Sequence, residues 1–453
     1  MATQVEAKEK SWESLTSDEK LERRLTAWRS AEGIEFATPE AKRDYKARAK
    51  SYADAIRLKI PDRIPIVSNI GGFASAYYGY TNKDMMYDVD KAVDVMMRGT
   101  LEFQVDTKVT AGGSAGLICE TMDVKMYSWP GHDLPDDEGL QFRDIEYMKA
   151  DEYDALIRDP SDYWLRVHFP RMMGALEPLT ALRPVLHTFD FDSVRTGVSP
   201  YGRPDVEAAI NKLLKAGKQA REWDQKLAAA NKKLDGLGFP SMTGSSSRMP
   251  FDHIGDYLRG TREIMTDMFR RPEKLQEAME RFVPLIVEIG LAGVKMGACP
   301  IVTFPVHKGS DEFLSESHYK EFYWPTCRKV MEALFEEGLM VRMFAEGRHN
   351  SRLETIRDDL PKGKTIWYFD YTTDMARAKE TIGDIACVMG NVPVALLSTG
   401  TPEQTVDYCR KLIEVAGKGG GFIFSTGASV DRHAKVENVK AMIKCAKEYG
   451  VYS

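Results

Sequence analysis

Through the second half of the chain, short apolar runs alternate with longer stretches whose apolar residues recur at helical spacing. LMVRMFAEGRHN, from Leu339 to Asn350, begins as a run rich in Leu, Met, Val and Phe and stops abruptly at Glu346 and Gly347. A continuous apolar run of this length reads as a strand buried on both faces. The same pattern returns on either side: CPIVTFPVH ends at His307, TIWYFD at Asp370 and GGGFIFSTG at Ser425-Thr426, while ACVMGNVP carries Asn391 near its end. Helical periodicity lies between them over 315–337, 351–360, 374–382 and 402–416. Strand, helix, strand at these intervals predicts successive βαβ units and a parallel sheet. Closed into a (β/α)8 TIM barrel, such strands open onto one catalytic rim, so His307, Glu346, Asp370 and Asn391 are expected to face a common pocket.

The first half extends this pattern. Thr16-Ser17-Asp18-Glu19 and Thr38-Pro39-Glu40 are helix starts, so residues 1–56 read as an arm of two helices lying outside the barrel. Residues 57–453 form the barrel region. Its first strand is Arg63 to Val67, ending in Ser68 and Asn69 before Gly71-Gly72; a helix follows over 88–103, then a second strand over 105–109. The loop Ala111-Gly112-Gly113-Ser114-Ala115-Gly116 lacks the endings of a nucleotide-binding motif and reads as a pocket wall. Residues 117–165, with Glu120, read as excursions over the barrel mouth, and Leu186 to Phe189 as another strand end followed by Asp190 and Asp192. Residues 204–234 are dense in strong helix formers and too polar for a core unit, which marks a helical insertion suited to a dimer contact or a partner. The Ser-rich stretch from Met242 to Phe251 reads as a mobile loop carrying Arg248, a candidate anion contact.

Composition narrows the class. A chain of 453 residues has room for a barrel of about 250 residues plus additions. No apolar run approaches the roughly 20 residues of a membrane span, and MATQVEAKEK lacks a signal-peptide core, so the expectation is a cytoplasmic protein. The six cysteines form no C-x-x-C pair, which argues against a disulfide framework or a thiolate zinc cluster. A net charge of −6 with interspersed signs argues against nucleic acid as a partner.

Several motifs resemble the uroporphyrinogen decarboxylase superfamily: Lys59-Ile60-Pro61-Asp62-Arg63-Ile64-Pro65, Asp256-Tyr257-Leu258-Arg259-Gly260-Thr261, Phe269-Arg270-Arg271-Pro272-Glu273-Lys274, Met389-Gly390-Asn391-Val392-Pro393 and Gly419 to Gly427. The resemblance runs from about residue 55 to the C-terminus and implies the same barrel. Decarboxylases of the superfamily follow the first strand with an Arg-containing loop; here Ser68-Asn69-Ile70-Gly71-Gly72-Phe73 has none, which places decarboxylation second. The other branch passes methyl groups to the cobalt of a corrinoid on a separate protein. Its thiol-methylating members hold zinc through His-x-Cys and a late Cys, where this chain has Phe344, Glu346 and Ala428.

What remains is an oxygen and nitrogen set of Glu346, His307, His349 and Asp370. The resemblance therefore implies transfer of a methyl group from a methyl ether, foremost a methoxylated aromatic, to cobalamin carried on a corrinoid protein or free. Expelling the phenoxide requires a proton donor or Lewis acid at the ether oxygen, either Glu346 itself or a zinc held by Glu346 with His307. Tyr368 and Asp370 are expected to position the ring, and Asn69, Asn391, His349 and Arg248 to complete the substrate site. His349 also fits a proton shuttle or a plain loop residue. A non-catalytic corrinoid- or tetrapyrrole-binding module is the third reading.

Overall fold

The computed structural model describes residues 10–452 apart from 112 and 114. Two helices open it. α1 (Ser17–Ser30) starts under a capping box made by Thr16 and Glu19, and α2 (Pro39–Ile56) starts under Thr38 with Pro39 in its first turn. Each such cap is worth about 1 kcal/mol.

An excursion between the second and third barrel strands carries a small antiparallel pair, β1 (Tyr127–Ser128) and β2 (Gln141–Phe142). Six strands then pair in parallel in chain order: β3 (Ser245–Ser246), β4 (Ile301–Val306), β5 (Met340–Ala345), β6 (Thr365–Phe369), β7 (Cys387–Val392) and β8 (Phe422–Thr426). Two extended segments complete the ring. Val67 N–H donates to the Phe424 carbonyl at 2.9 Å, Phe424 N–H to that of Pro65 at 2.9 Å, and Asp106 N–H to that of Ile66 at 2.8 Å. On the far side the Lys108 ammonium reaches Ser241 Oγ at 3.1 Å, just ahead of β3. The fold is a (β/α)8 barrel.

Residues two apart on a strand share a face. The register aligns Thr303 with Arg342 and Ile366, and Pro305 with Phe344 and Tyr368. Met340, Ile366, Tyr368, Met389 and Ile423 cluster with Leu21, Leu25, Trp28 and Tyr52 of α1 and α2, so this face looks into the lumen. The opposite face, including Phe304, Met343 and Trp367, packs beneath the outer helices. The arm lies outside the ring of strands and packs against it. It closes the N-terminal end: Lys364 Nζ donates to Ser17 Oγ at 2.6 Å and Arg57 Nη1 to the Gly363 carbonyl at 2.7 Å, both just before β6. Burying side chains such as Trp28 and Tyr52 there contributes roughly 1.5–3 kcal/mol each, which is why a charged segment with a few large apolar residues docks at all.

Two expectations are corrected. Leu186 to Phe189 is not a strand end: Val185–His187 forms a 3-10 turn, Leu186 and Phe189 are exposed, and Asp190 accepts from Ser193 N–H to cap the helix Phe191–Val198. Its apolar residues resemble a strand in composition but find no sheet to join. The stretch from Met242 to Phe251 is not only a loop. It contains β3, whose two residues pair with Val302 and Thr303, and it ends in the helix Pro250–Ile254. Serines there gave no apolar signal.

The residues read as an insertion lie in one long helix, Pro204–Gly236, which packs on Met122, Leu176 and Leu179 of the excursion. In the glycine-rich loop, Ala111 and Gly113 line a cleft with Gly71 and Gly72, while 112 and 114 lie outside the described residues. Among the described residues no helix is long and apolar enough to cross a membrane.

Candidate functional site

β4 and β5 run side by side, with Val306 opposite Ala345. One residue further on, His307 and Glu346 leave the two strands with the parity of Pro305 and Phe344, which puts both on the lumen side of the C-terminal rim. His307 Nε2 lies 3.7 Å from Glu346 Oε2. The other ring nitrogen, Nδ1, is 2.7 Å from Asp256 Oδ2. Asp256 comes from a π-helical turn, Gly255–Arg259, that continues the helix Pro250–Ile254. Wide turns of this kind recur at functional sites because they re-aim side chains out of the helical ladder.

Behind this pair is a buried layer. Asp256 Oδ1 accepts from Lys308 Nζ at 2.6 Å. One helical turn earlier, the fully buried Asp252 accepts from Lys308 N–H at 2.8 Å and from the Tyr323 hydroxyl at 2.7 Å. The line from Glu346 through His307 to Asp256 and Lys308 thus alternates acid and base.

The protonation states follow. The hydrogen bond to Asp256 raises the His307 pKa above its usual value; burial opposes this, and the charges of Asp256 and Glu346 reinforce it. Burial raises the carboxyl of Glu346, while His307 and Arg248 pull it back; at 45% exposed, the side chain feels only part of a buried environment. Burial also works against ionisation of Asp256, but His307 and Lys308 outweigh it and hold the group below the ordinary carboxylate range. Burial and the neighbouring Asp256 charge push Asp252 the other way. Two carboxyls with opposed environments beside a histidine whose protonated form is favoured form an acid–base arrangement rather than a plain ion pair.

The remaining candidates fall into three groups. Tyr368 and Asn69 line a lumen cavity of about 220 Å³ immediately below the rim, together with Arg342, Phe344, Met389 and Ser425. Arg248 stands by the rim with its Nε donating to the Tyr257 hydroxyl at 3.1 Å. Asp370, Asn391 and His349 hold loops. The Asp370 carboxylate accepts from Thr372 N–H at 2.9 Å and Thr372 Oγ1 at 3.1 Å, so its own turn occupies one of its oxygens. Asn391 Nδ2 donates to the Asp370 carbonyl at 3.1 Å and the Thr373 carbonyl at 2.9 Å. His349 is buried, its Nδ1 lies 3.1 Å from the Gly347 carbonyl, and burial drives its pKa down to about 4. It is neutral at physiological pH and stands apart from the Glu346–His307 pair.

Zinc would find two donors here, Glu346 and His307. Their 3.7 Å separation suits a shared ion, and the Asp256 hydrogen bond to the far ring nitrogen is the usual support of a metal-bound histidine. Catalytic zinc sites use three protein ligands, however, and among the described residues no group of three or more His, Cys, Asp or Glu is placed to hold a metal.

Sequence reasoning missed Asp252, Asp256, Lys308 and Arg342. Asp252 and Asp256 were signalled by their i,i+4 spacing, which places two carboxylates on one helical face. Arg342 was signalled by a charge inside an otherwise apolar strand.

Residues 243–449, which contain β3 to β8 and the whole rim cluster, match the family model Uroporphyrinogen decarboxylase (URO-D). This stretch is a URO-D family domain. Curated relatives include the uroporphyrinogen decarboxylase of Methylococcus capsulatus, 27% identical over 198 residues, covering 43% of this chain and 54% of that protein. The uroporphyrinogen decarboxylase of Neisseria meningitidis serogroup C is 26% identical over 192 residues, covering 41% and 52%. The chain spans about half the length of the curated relatives it matches. Among solved structures, a methyltransferase from Methanosarcina mazei superposes with a TM-score of 0.57 at 13% identity, covering 89% of this chain and 98% of that one. That likeness shows the shared fold. The URO-D domain here supplies six of the eight barrel strands, and the first two strands and the excursion lie ahead of it.

Proposed function

We propose that this URO-D domain protein is a methyltransferase that moves the methyl group of a methyl ether, foremost a methoxylated aromatic, to the cobalt of a corrinoid held free or on a partner protein. The observation that carries this reading is the placement of a raised-pKa carboxyl, Glu346, against His307 at the rim of a small lumen walled by Phe344, Tyr368 and Met389. Drug-sized ligands occupy sites of about 300–1,000 Å³. A cavity of about 220 Å³ suits a single substituted ring and is far too small for a tetrapyrrole.

The acceptor supplies a cobalt(I) nucleophile, and the chain's residues act on the oxygen that leaves. The methyl–oxygen bond breaks, its electron pair stays on oxygen, and a proton must arrive there. The Glu346 carboxyl donates it as charge develops, and the phenol is released neutral. His307, kept protonated by Asp256, returns a proton to Glu346 across the 3.7 Å gap, directly or through one water. The aromatic wall of Phe344 and Tyr368 orients the ring.

The names of the curated relatives favour decarboxylation as the second reading. One assay separates the two. Protein incubated with cob(I)alamin and a panel of methoxylated aromatics is expected to form phenol in step with loss of the cobalt(I) absorption, and Glu346→Gln to slow this by about 10²–10⁴-fold. Carbon dioxide release without cobalt, and no phenol from any ether in the panel, would establish the decarboxylase instead. One zinc per chain in active protein, lost in Glu346→Ala, would replace the proton donor with a Lewis acid.

A further inference from the structure

Below the rim, the charge of the lumen has no counterpart in the chemistry described so far. Two cations, Lys108 and Arg342, line the cavity and no carboxylate does. Lys108 is answered by Asp235 at 2.8 Å. Arg342 has no ion-pair partner among the described residues. Its Nη1 makes only long contacts, 3.4 Å to the Tyr52 hydroxyl and 3.3 Å to the Met242 carbonyl, and its Nε is buried with no acceptor. A buried guanidinium N–H without an acceptor is costly, and a carboxylate is the group its planar fork matches best. Above it the stacked rings of Phe344 and Tyr368, centroids 4.5 Å apart, form a flat wall.

We propose that Arg342 binds the carboxylate of an aromatic acid whose ring lies along Phe344 and Tyr368. For the methyl ether this rests on the proposed methyl transfer, and it narrows the donor to a methoxylated aromatic acid. Arg342 and Glu346 share the lumen face of one strand and its extension, their Cα atoms four residues or about 13 Å apart at roughly 3.3 Å per residue. The carboxylate sits at the floor, the ether oxygen at Glu346, and the methyl group faces the rim where the acceptor approaches.

The test is equilibrium binding of benzoate, benzamide and acetate to the full chain by calorimetry, with no acceptor present. Benzoate is expected to bind about tenfold or more tightly than benzamide, through the charge-assisted contact, and more tightly than acetate, through the ring. Arg342→Met is expected to lower benzoate to the benzamide level, with Arg342→Lys between. Equal affinity of wild-type protein for benzoate and benzamide would overturn the carboxylate site without reliance on any variant, as would undiminished benzoate binding by a folded Arg342→Met. Acetate binding as tightly as benzoate would overturn the aromatic assignment. Benzoate binding requires no methyl transfer, so an intact benzoate site with no phenol from 4-methoxybenzoate would sink the reaction and leave the subsite standing. Rapid phenol release from neutral methoxybenzenes without benzoate binding would do the reverse.

Discussion

Arg259 is buried and Arg342 half-buried, in different layers of the same barrel, and they are treated in opposite ways. Arg259, 1% exposed beneath the outer helices, donates through Nε to Asp267 at 2.6 Å and through Nη1 to Glu146 at 2.6 Å and the Met148 carbonyl. Arg352, equally buried, is satisfied by the Gly309 and Ser310 carbonyls at 3.1 and 3.0 Å and by that of Leu314. Arg342 faces the lumen with one N–H left over. Saturated guanidiniums pin loops to the barrel wall. An unsaturated one lining a cavity waits for a ligand, and the same contrast separates Asp267, enclosed by Arg259 and Tyr153, from Glu346, which has one loose neighbour at 3.7 Å.

This contrast breaks most visibly at Asp267. Asp267→Ala removes one of the two carboxylate partners of the buried Arg259 and the acceptor of Tyr153, so it is expected to cost about 3–5 kcal/mol in denaturant unfolding. A loss under about 1 kcal/mol would show that the wall arginine does not depend on its partner.

A smaller effect is expected in the pH dependence of stability. The folded-state pKa of His307 is raised above its unfolded value near 6.5, so the folded chain holds the extra proton. Its contribution is complete below about pH 6.5 and is lost as pH rises through the folded value. Unfolding curves of wild type and His307→Gln should therefore differ most at acid pH and converge above it, and a constant difference would contradict the Asp256–His307 pairing. The smallest effect belongs to Arg342→Met. Its two contacts, to the Tyr52 hydroxyl and the Met242 carbonyl, are long and neither partner is charged, so it is expected to stay within about 1 kcal/mol of wild-type stability, on either side. A loss as large as that of Asp267→Ala would mean that Arg342 is saturated after all.

The barrel was legible from β4 onward because those strands are continuous apolar runs between amphipathic helices, a pattern that burial on both faces enforces. β3 was not, since two serines carry no hydrophobic signal and hold their place by pairing with Val302 and Thr303. Leu186 and Phe189 misled for the converse reason: apolar residues in an excursion predict burial, yet both are exposed. At the site, strand ends named His307 and Glu346. The same rule named Asp370 and Asn391: the Asp370 charge is felt at Glu346 while one of its oxygens caps its own turn, and the Asn391 side chain turns back to hold a loop. Asp256 was invisible to it because the residue arrives from a helix 51 positions earlier to meet His307.

Rate against leaving-group acidity tests the role of Glu346 most directly. Single-turnover phenol release would be followed for a series of 4-methoxybenzoates bearing ring substituents that span several units of phenol pKa, with cob(I)alamin as acceptor. Wild-type rates are expected to vary little along the series, because the departing oxygen is protonated as it leaves, whereas Glu346→Gln should fall steeply as the phenol becomes less acidic. Parallel plots for the two proteins would show that the carboxyl at the rim gives no proton to the departing oxygen.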